Sequence, residues 1–146
     1  MSNRFLNKWL GAPEEINGGY RCPTYLYRWI LVSTRWVKAY LHHFVGDDWS
    51  RDHHDHPKRF VSIGLKGWYI EETPGGAREY HAPWIRTFPA EHIHRLRVPS
   101  KSCWTMVIVF WHVREWGFWH EGEFIPWRDY VSGSKSHIAD TMRSCD

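Results

Sequence analysis

The chain is poor in the features that mark many enzyme classes on sight. It has no Gly-rich phosphate loop and no Gly-x-Ser-x-Gly, so neither a P-loop nor a nucleophile elbow is encoded. Cysteine is scarce. Cys22, Cys103 and Cys145 are odd in number, widely spaced and without a Cys-x-x-Cys. They argue against a disulfide framework and for reduced thiols in a cytosol-like compartment. Long apolar runs are missing: the longest, residues 103–111, is far short of the roughly 20 residues that span a bilayer. The first eight residues lack the apolar stretch of a secretory signal. Charge of one sign is also missing, because 19 basic and 16 acidic side chains leave a net charge of +3 and form no Lys/Arg block. There is thus no strong nucleic-acid signal and no membrane signal, and a cytoplasmic location is expected.

What is present is aromatic. Eleven Trp, seven Tyr and seven Phe make up 17% of 146 residues, and with 42% hydrophobic against 24% charged residues the composition excludes a disordered polyampholyte. A chain of this length fits one domain with a core that needs no staples. Residues 1–23 read as an irregular segment with a short helix at 5–10, stopped by Gly11-Ala12-Pro13. Residues 24–119 change to β-branched and aromatic runs separated by turn residues. Strands are expected at 24–33, 36–45, 59–65, 67–72, 78–81, 85–88, 93–98, 103–111 and 115–119. The run 103–111 is apolar on both alternating sets, which predicts a central strand covered on both faces. Residues 120–146 read as a segment packed on the outside with a loose end. The fold class is therefore all-β: a single-domain antiparallel β-barrel of jelly-roll type. Most tryptophans are expected to fill it, with base or sugar stacking the lesser reading.

The chemistry gathers on histidine. In His54-Asp55-His56 the two imidazoles are two residues apart, so on a strand they project from one face and can chelate a divalent metal. With 11 His in the chain, chance alone supplies about 0.8 His-x-His pairs, so the pair by itself is weak. The downstream spacing strengthens it: Phe60 follows His56 by four residues, Gly67 by eleven, and Pro89-Ala90-Glu91-His92-Ile93-His94 lies some thirty residues on.

That arrangement resembles the two sequence motifs of the cupin superfamily, and with it a double-stranded β-helix is expected. Matched position by position, His54, His56 and His94 are the metal ligands and Gly67 is the closing glycine of the first motif. Phe60 stands where a glutamate ligand is usual, and Glu91 replaces a glycine of the second motif. His92 is the rival third ligand. The missing carboxylate implies a neutral three-histidine centre, as in the thiol-dioxygenase branch, with Fe(II) favoured and Zn, Ni or Mn as alternatives. More narrowly, Tyr25-Leu26-Tyr27-Arg28-Trp29, Leu41-His42, the stretch from Asp52 to Pro57, Gly67-Trp68-Tyr69-Ile70-Glu71 and Trp116-Gly117-Phe118 resemble small cupin-like proteins of bacteria and tailed phages. The resemblance implies a bacterial or phage-infected host cell, a small-molecule ligand or substrate, and a homodimer that would shield sheet edges.

Other residues are singled out by pattern. Tyr69 and Glu71 share a strand face and are candidates for proton handling near the metal, against ordinary packing. Arg28, Arg86 and Arg114 lie among aromatics, where ring stacking is the default and anion clamping the alternative. Asp55 should point away from His54 and His56 in a capping or surface role. His42 and His43 face opposite ways: periodicity favours His43 on the buried face, whereas the resemblance singles out His42. Arg28, His42, Phe60 and Arg86 are the pocket candidates.

Overall fold

The computed structural model describes residues 3–17, 22–50, 52–112 and 114–132. Helix α1 (Asn3–Leu10) tucks Leu6 against Trp29 and Trp104 and closes with the Gly11 N–H on Asn7 O, Gly11 taking the left-handed φ of 78° that such an end needs. Strand β1 (Glu14–Asn17) then pairs with β2 (Thr24–Ser33). Its Glu-Glu-Ile-Asn sequence has little intrinsic preference for a strand. The ladder with β2 and the Arg28 Nε to Glu14 Oε2 bond (2.7 Å) supply the order, which is why the sequence showed only an irregular segment there.

The main sheet runs β1, β2, β3 (Lys38–Phe44), β9 (Cys103–His112), β5 (Lys58–Thr73) and β6 (Gly76–His81). Strands β7 (Trp84–Phe88) and β8 (Arg95–Arg97) also pair with β5. A smaller sheet, β11 (Glu123–Pro126), β10 (Gly117–His120) and β4 (His53–His54), lies beside it, and α2 (Trp127–Ser132) ends the described chain. All named pairings are antiparallel.

Strand β5 makes the curl. Its first half pairs with β7 and β9, its second with β6 and β8. The sequence divided it into two strands at Lys66; the structure shows one strand with an irregularity between Gly64 and Lys66. Buried positions run Phe60, Ser62, Gly64 and then Tyr69, Glu71, so one extra residue shifts the inward set from even to odd numbers. Gly67 sits just past that step with φ of 86°, and a Cβ there would come within 2.4 Å of Ser102 O. The motif glycine is thus required by backbone conformation and by the close approach of the chain leading into β9.

The first residues of β9, Cys103, Trp104 and Thr105, are buried, but Phe110 and Trp111 are exposed. The expectation that this strand is covered on both faces therefore holds for its first half only. Its far end runs past the register with β3, which stops at Lys38 and Val109, and there Trp111 meets Trp36 of the β2–β3 connection at 4.5 Å between rings. Tryptophan fills space as expected at Trp29 and Trp104, which stack at 5.8 Å, and at Trp116 and Trp127. In α2, Tyr130 is fully buried on Phe118 (3.9 Å), so this stretch packs against the small sheet. The tail beyond 132, expected to be loose, lies outside the described residues. Cys103 is a buried free thiol, its pKa pushed up by burial to about 12. Cys22 is disulfide-bonded, which corrects the expectation of three reduced thiols.

Candidate metal centre

Backbone pairing brings the three histidines together. His54 lies in β4, in register with Phe118 of β10 on one side. On the other it exchanges both backbone hydrogen bonds with His94, at 2.8 and 2.9 Å. His56 donates its backbone N–H to Ala90 O (3.0 Å) in the segment that leads to His94. Because side chains alternate, His54 and His56 face one way and Asp55 the other. The three ring centroids are 4.9 to 5.1 Å apart, and one nitrogen from each ring lies within 4.8 Å of the other two. His56 Nε2 and His94 Nε2 are 2.9 Å apart.

Electrostatics favour the neutral ring at His54 and His56. Burial first, and then the neighbouring histidines, push the pKa of His54 and of His56 well below the usual imidazole range. Neutral imidazole is the form that binds metal. His94 is oriented by Glu71: an ionised carboxylate only accepts, so the His94 Nδ1–H donates to Oε1 at 2.8 Å and Nε2 is left facing His56. The donor set, one nitrogen from each of three imidazoles within 4.8 Å of one another, therefore fits a divalent cation.

Glu71 is a hub. Oε1 also accepts from His92 Nε2 (2.8 Å), and Oε2 accepts from Arg86 Nη2 (2.6 Å). Burial alone would raise its pKa; the hydrogen bonds from His92, His94 and Arg86 outweigh this and hold the carboxyl well below the usual range. His92, His94 and Glu71 make a second cluster of ligand type, but His92 Nε2 is engaged by the carboxylate, whereas His94 Nε2 faces His56. A Glu71→Gln variant keeps the shape and sets an amide N–H₂ against donors. Its metal affinity is expected to fall about 10- to 100-fold in a chelator competition, with the fold intact by circular dichroism.

The remaining expected residues sort by wall. Phe60 lines the cavity in the glutamate's place, edge-on to His56 (4.7 Å) and stacked on Phe88 (4.6 Å). Tyr69 also lines it, its oxygen accepting from Arg86 Nη1 (2.8 Å), and its pKa is raised, chiefly by burial. Arg86 is stacked 3.6 Å over Tyr80 and is not among the residues that line this cavity, whereas Arg28 lines it and lies 5.0 Å over Tyr40. Asp55 does point away from the ligands, but it is fully buried rather than at the surface. It accepts from Gly117 N (2.8 Å) and Arg114 Nη1 (2.7 Å). Asp48, between β3 and β4, accepts from Leu96 N (2.7 Å) and stands 3.9 Å from His54 Nδ1.

His42 is the inward histidine, which corrects the periodicity reading that favoured His43. His43 stacks on Trp104 at 3.9 Å and hydrogen-bonds with Asn3 and Ser102 on the other side of the sheet. His42 lines the cavity, and burial followed by the charge of Arg28 pushes its pKa down to about 3. The unfolded chain, titrating near 6.5, takes up that proton first, so stability falls as pH drops from about 6.5 toward 3. Relative to His42→Gln, the wild type is expected to lose about 3 kcal/mol between pH 7 and pH 4, read from urea midpoints. Parallel curves for the two proteins would show that His42 does not carry the effect.

The cavity holds about 540 Å³, within the usual range for small-molecule sites. His54, His56 and His94 form part of its wall. No protein-family profile matches the chain, and no curated protein matches it. Solved structures do. An uncharacterized conserved protein with a double-stranded β-helix domain from Klebsiella pneumoniae is 13% identical, at a TM-score of 0.51 over 62% of this chain and 81% of that one. A protein of unknown function from Rhizobium leguminosarum is 14% identical, also at 0.51, over 63% and 86%. A cupin domain from Bordetella pertussis is 19% identical at 0.47, over 58% and 91%. The fold of this chain is the double-stranded β-helix. No described helix is long and apolar enough to cross a membrane.

Proposed function

We propose that this protein is a metal-dependent cupin of the non-haem Fe(II) oxygenase type, acting on a small polar metabolite or a thiol. The observation that carries the reading is the three-histidine cluster with a phenylalanine, Phe60, where a carboxylate ligand is usual, set in the wall of a ligand-sized cavity. Three neutral imidazoles leave the charge of a divalent cation uncompensated, which favours an anionic or thiolate substrate. Ferrous iron there would supply redox chemistry with dioxygen. The chain's own part is to hold His54 and His56 neutral by burial, to fix His94 through Glu71, and to keep water from the cluster with Phe60 and Phe88. Tyr69 is the side chain placed to hold or move a proton at its phenol oxygen, and Glu71 acts through His94.

The test is dioxygen uptake by protein reconstituted with Fe(II) under a panel of small thiols and polar acids. Substrate-dependent uptake, absent with Zn(II), is the expected result. Zinc, nickel or manganese as the resident metal with no uptake would replace the oxygenase reading with isomerase, epimerase or hydrolase chemistry. A second reading, a cupin that binds and sequesters a small ligand such as a nucleotide or sugar, is favoured by the polar groups on the cavity wall away from the histidine cluster. It predicts a ligand that is recovered unchanged on denaturation.

A further inference from the structure

One row of residues crosses the curled sheet from edge to edge. The pairings put Glu14 beside Arg28, Arg28 beside His42, His42 beside Thr105, Thr105 beside Gly64, and Gly64 beside Trp84. Residues in direct register share a face. Arg28, His42 and Thr105 line the cavity that also contains the histidine cluster. The neighbours of this row on the same wall, Leu26, Phe44 and Val107, are apolar.

Two of these three groups are polar, buried and unsatisfied. His42 Nε2 and Thr105 Oγ1 have no hydrogen-bond partner among the described residues, although both atoms are shielded from solvent. A buried polar atom without a partner is costly, and two on adjacent strands of one cavity wall call for a common partner. Arg28 sets the sign of that partner. Its Nε is bound to Glu14 and Tyr40 lies under its plane, so the guanidinium, about one-third exposed (34%), is held at the outer end of the row. His42 stays uncharged beside it and offers an N–H without a second positive charge. Thr105 offers an O–H.

We propose that Arg28, His42 and Thr105 form an anchoring subsite for the carboxylate of a small organic acid, bound as its anion in the same cavity as the three histidines. The carboxylate accepts from Thr105 Oγ1 and His42 Nε2 and lies in the field of Arg28, while the acid's apolar part rests on Leu26, Phe44 and Val107. This deepens the reading of the barrel interior as a ligand pocket and names the substrate class. It does not depend on which metal the cluster takes.

The experiment titrates the full-length protein with three acid and amide pairs (acetate and acetamide, hexanoate and hexanamide, benzoate and benzamide) by calorimetry or NMR. At least one acid is expected to bind roughly tenfold or more tightly than its amide. The preference should shrink to within about twofold in Thr105→Val and in Arg28→Gln. Thr105→Val is isosteric and removes an orphaned hydroxyl, so its thermal midpoint should equal or exceed that of the wild type. Weaker binding in a more stable protein separates this role from a structural one. No acid preference in any pair, or a preference that survives in both variants, overturns the proposal. The His54→Ala/His56→Ala variant separates this subsite from the metal. A preference lost there but intact in Thr105→Val puts the carboxylate on the metal, which overturns the subsite and leaves the metal reading standing. A preference intact there and lost in Thr105→Val supports the subsite, even if the protein takes up no metal.

Discussion

A His54→Ala/His56→Ala variant is expected to keep its fold and lose its metal. The wild type, purified without chelator or added metal, should carry about one equivalent by elemental mass spectrometry, and the variant less than about a tenth of that. The magnitude follows from ligand count. Structural zinc sites with four ligands are worth about 10–16 kcal/mol, about 3 kcal/mol per ligand, so removing two costs about 6 kcal/mol, or about 10⁴-fold in affinity. The fold survives because both rings face a cavity and are already neutral, so their loss leaves no buried charge. Circular dichroism and a thermal midpoint within a few degrees of wild type check this. Full occupancy in the variant would move the site to the other cluster, Glu71, His92 and His94, and make His92→Ala the next variant to measure.

The largest effect on stability is expected at Asp55. Its side chain has no exposed surface and accepts from Gly117 N, Arg114 Nη1 and, more weakly, Trp119 Nε1 at 3.4 Å, while its own N–H donates to Gly117 O. It stitches β4 to β10 from behind the ligands. Asp55→Ala leaves the Gly117 N–H buried without its acceptor, and Arg114, which is 30% exposed, can regain water. The cost should therefore sit in the lower half of the range for breaking a buried pair, about 3 kcal/mol in a urea unfolding experiment. Asp55→Asn keeps one acceptor oxygen and should cost about half as much. Because Asp55 lies between His54 and His56, metal affinity should fall in Asp55→Ala although no ligand is touched. A loss below about 0.5 kcal/mol would mean that the β4 to β10 pairing holds without the carboxylate.

Some of this was legible along the chain. Alternation puts His54 and His56 on one strand face wherever that strand goes, because the two-residue period belongs to the backbone. Short aromatic and β-branched runs cut by turn residues dictate an all-β chain, and Gly67 marks a position that only glycine occupies comfortably. The weak strand β1 was not legible, since Glu14, Glu15 and Asn17 are ordered by their partner rather than by their own preference.

Tertiary structure decided the rest. Spacing favoured His94 over its rival His92 without giving a reason in the structure. They differ because His94 is paired to His54 through the backbone and turned by Glu71, while His92 ends on the same carboxylate from the other side. His42 and His43 are neighbours whose facing depends on the phase of β3 against β2 and β9, and periodicity alone pointed to the wrong one. Asp48 reaches His54 across six residues of sequence, and the row of Arg28, His42 and Thr105 joins two consecutive strands to β9, which is distant in the chain. The physical reason is common to all of these. Facing within a strand is a local property of the backbone, whereas register between strands is set by the whole sheet closing on its core, and one bulge in β5 is enough to reverse which residues look inward.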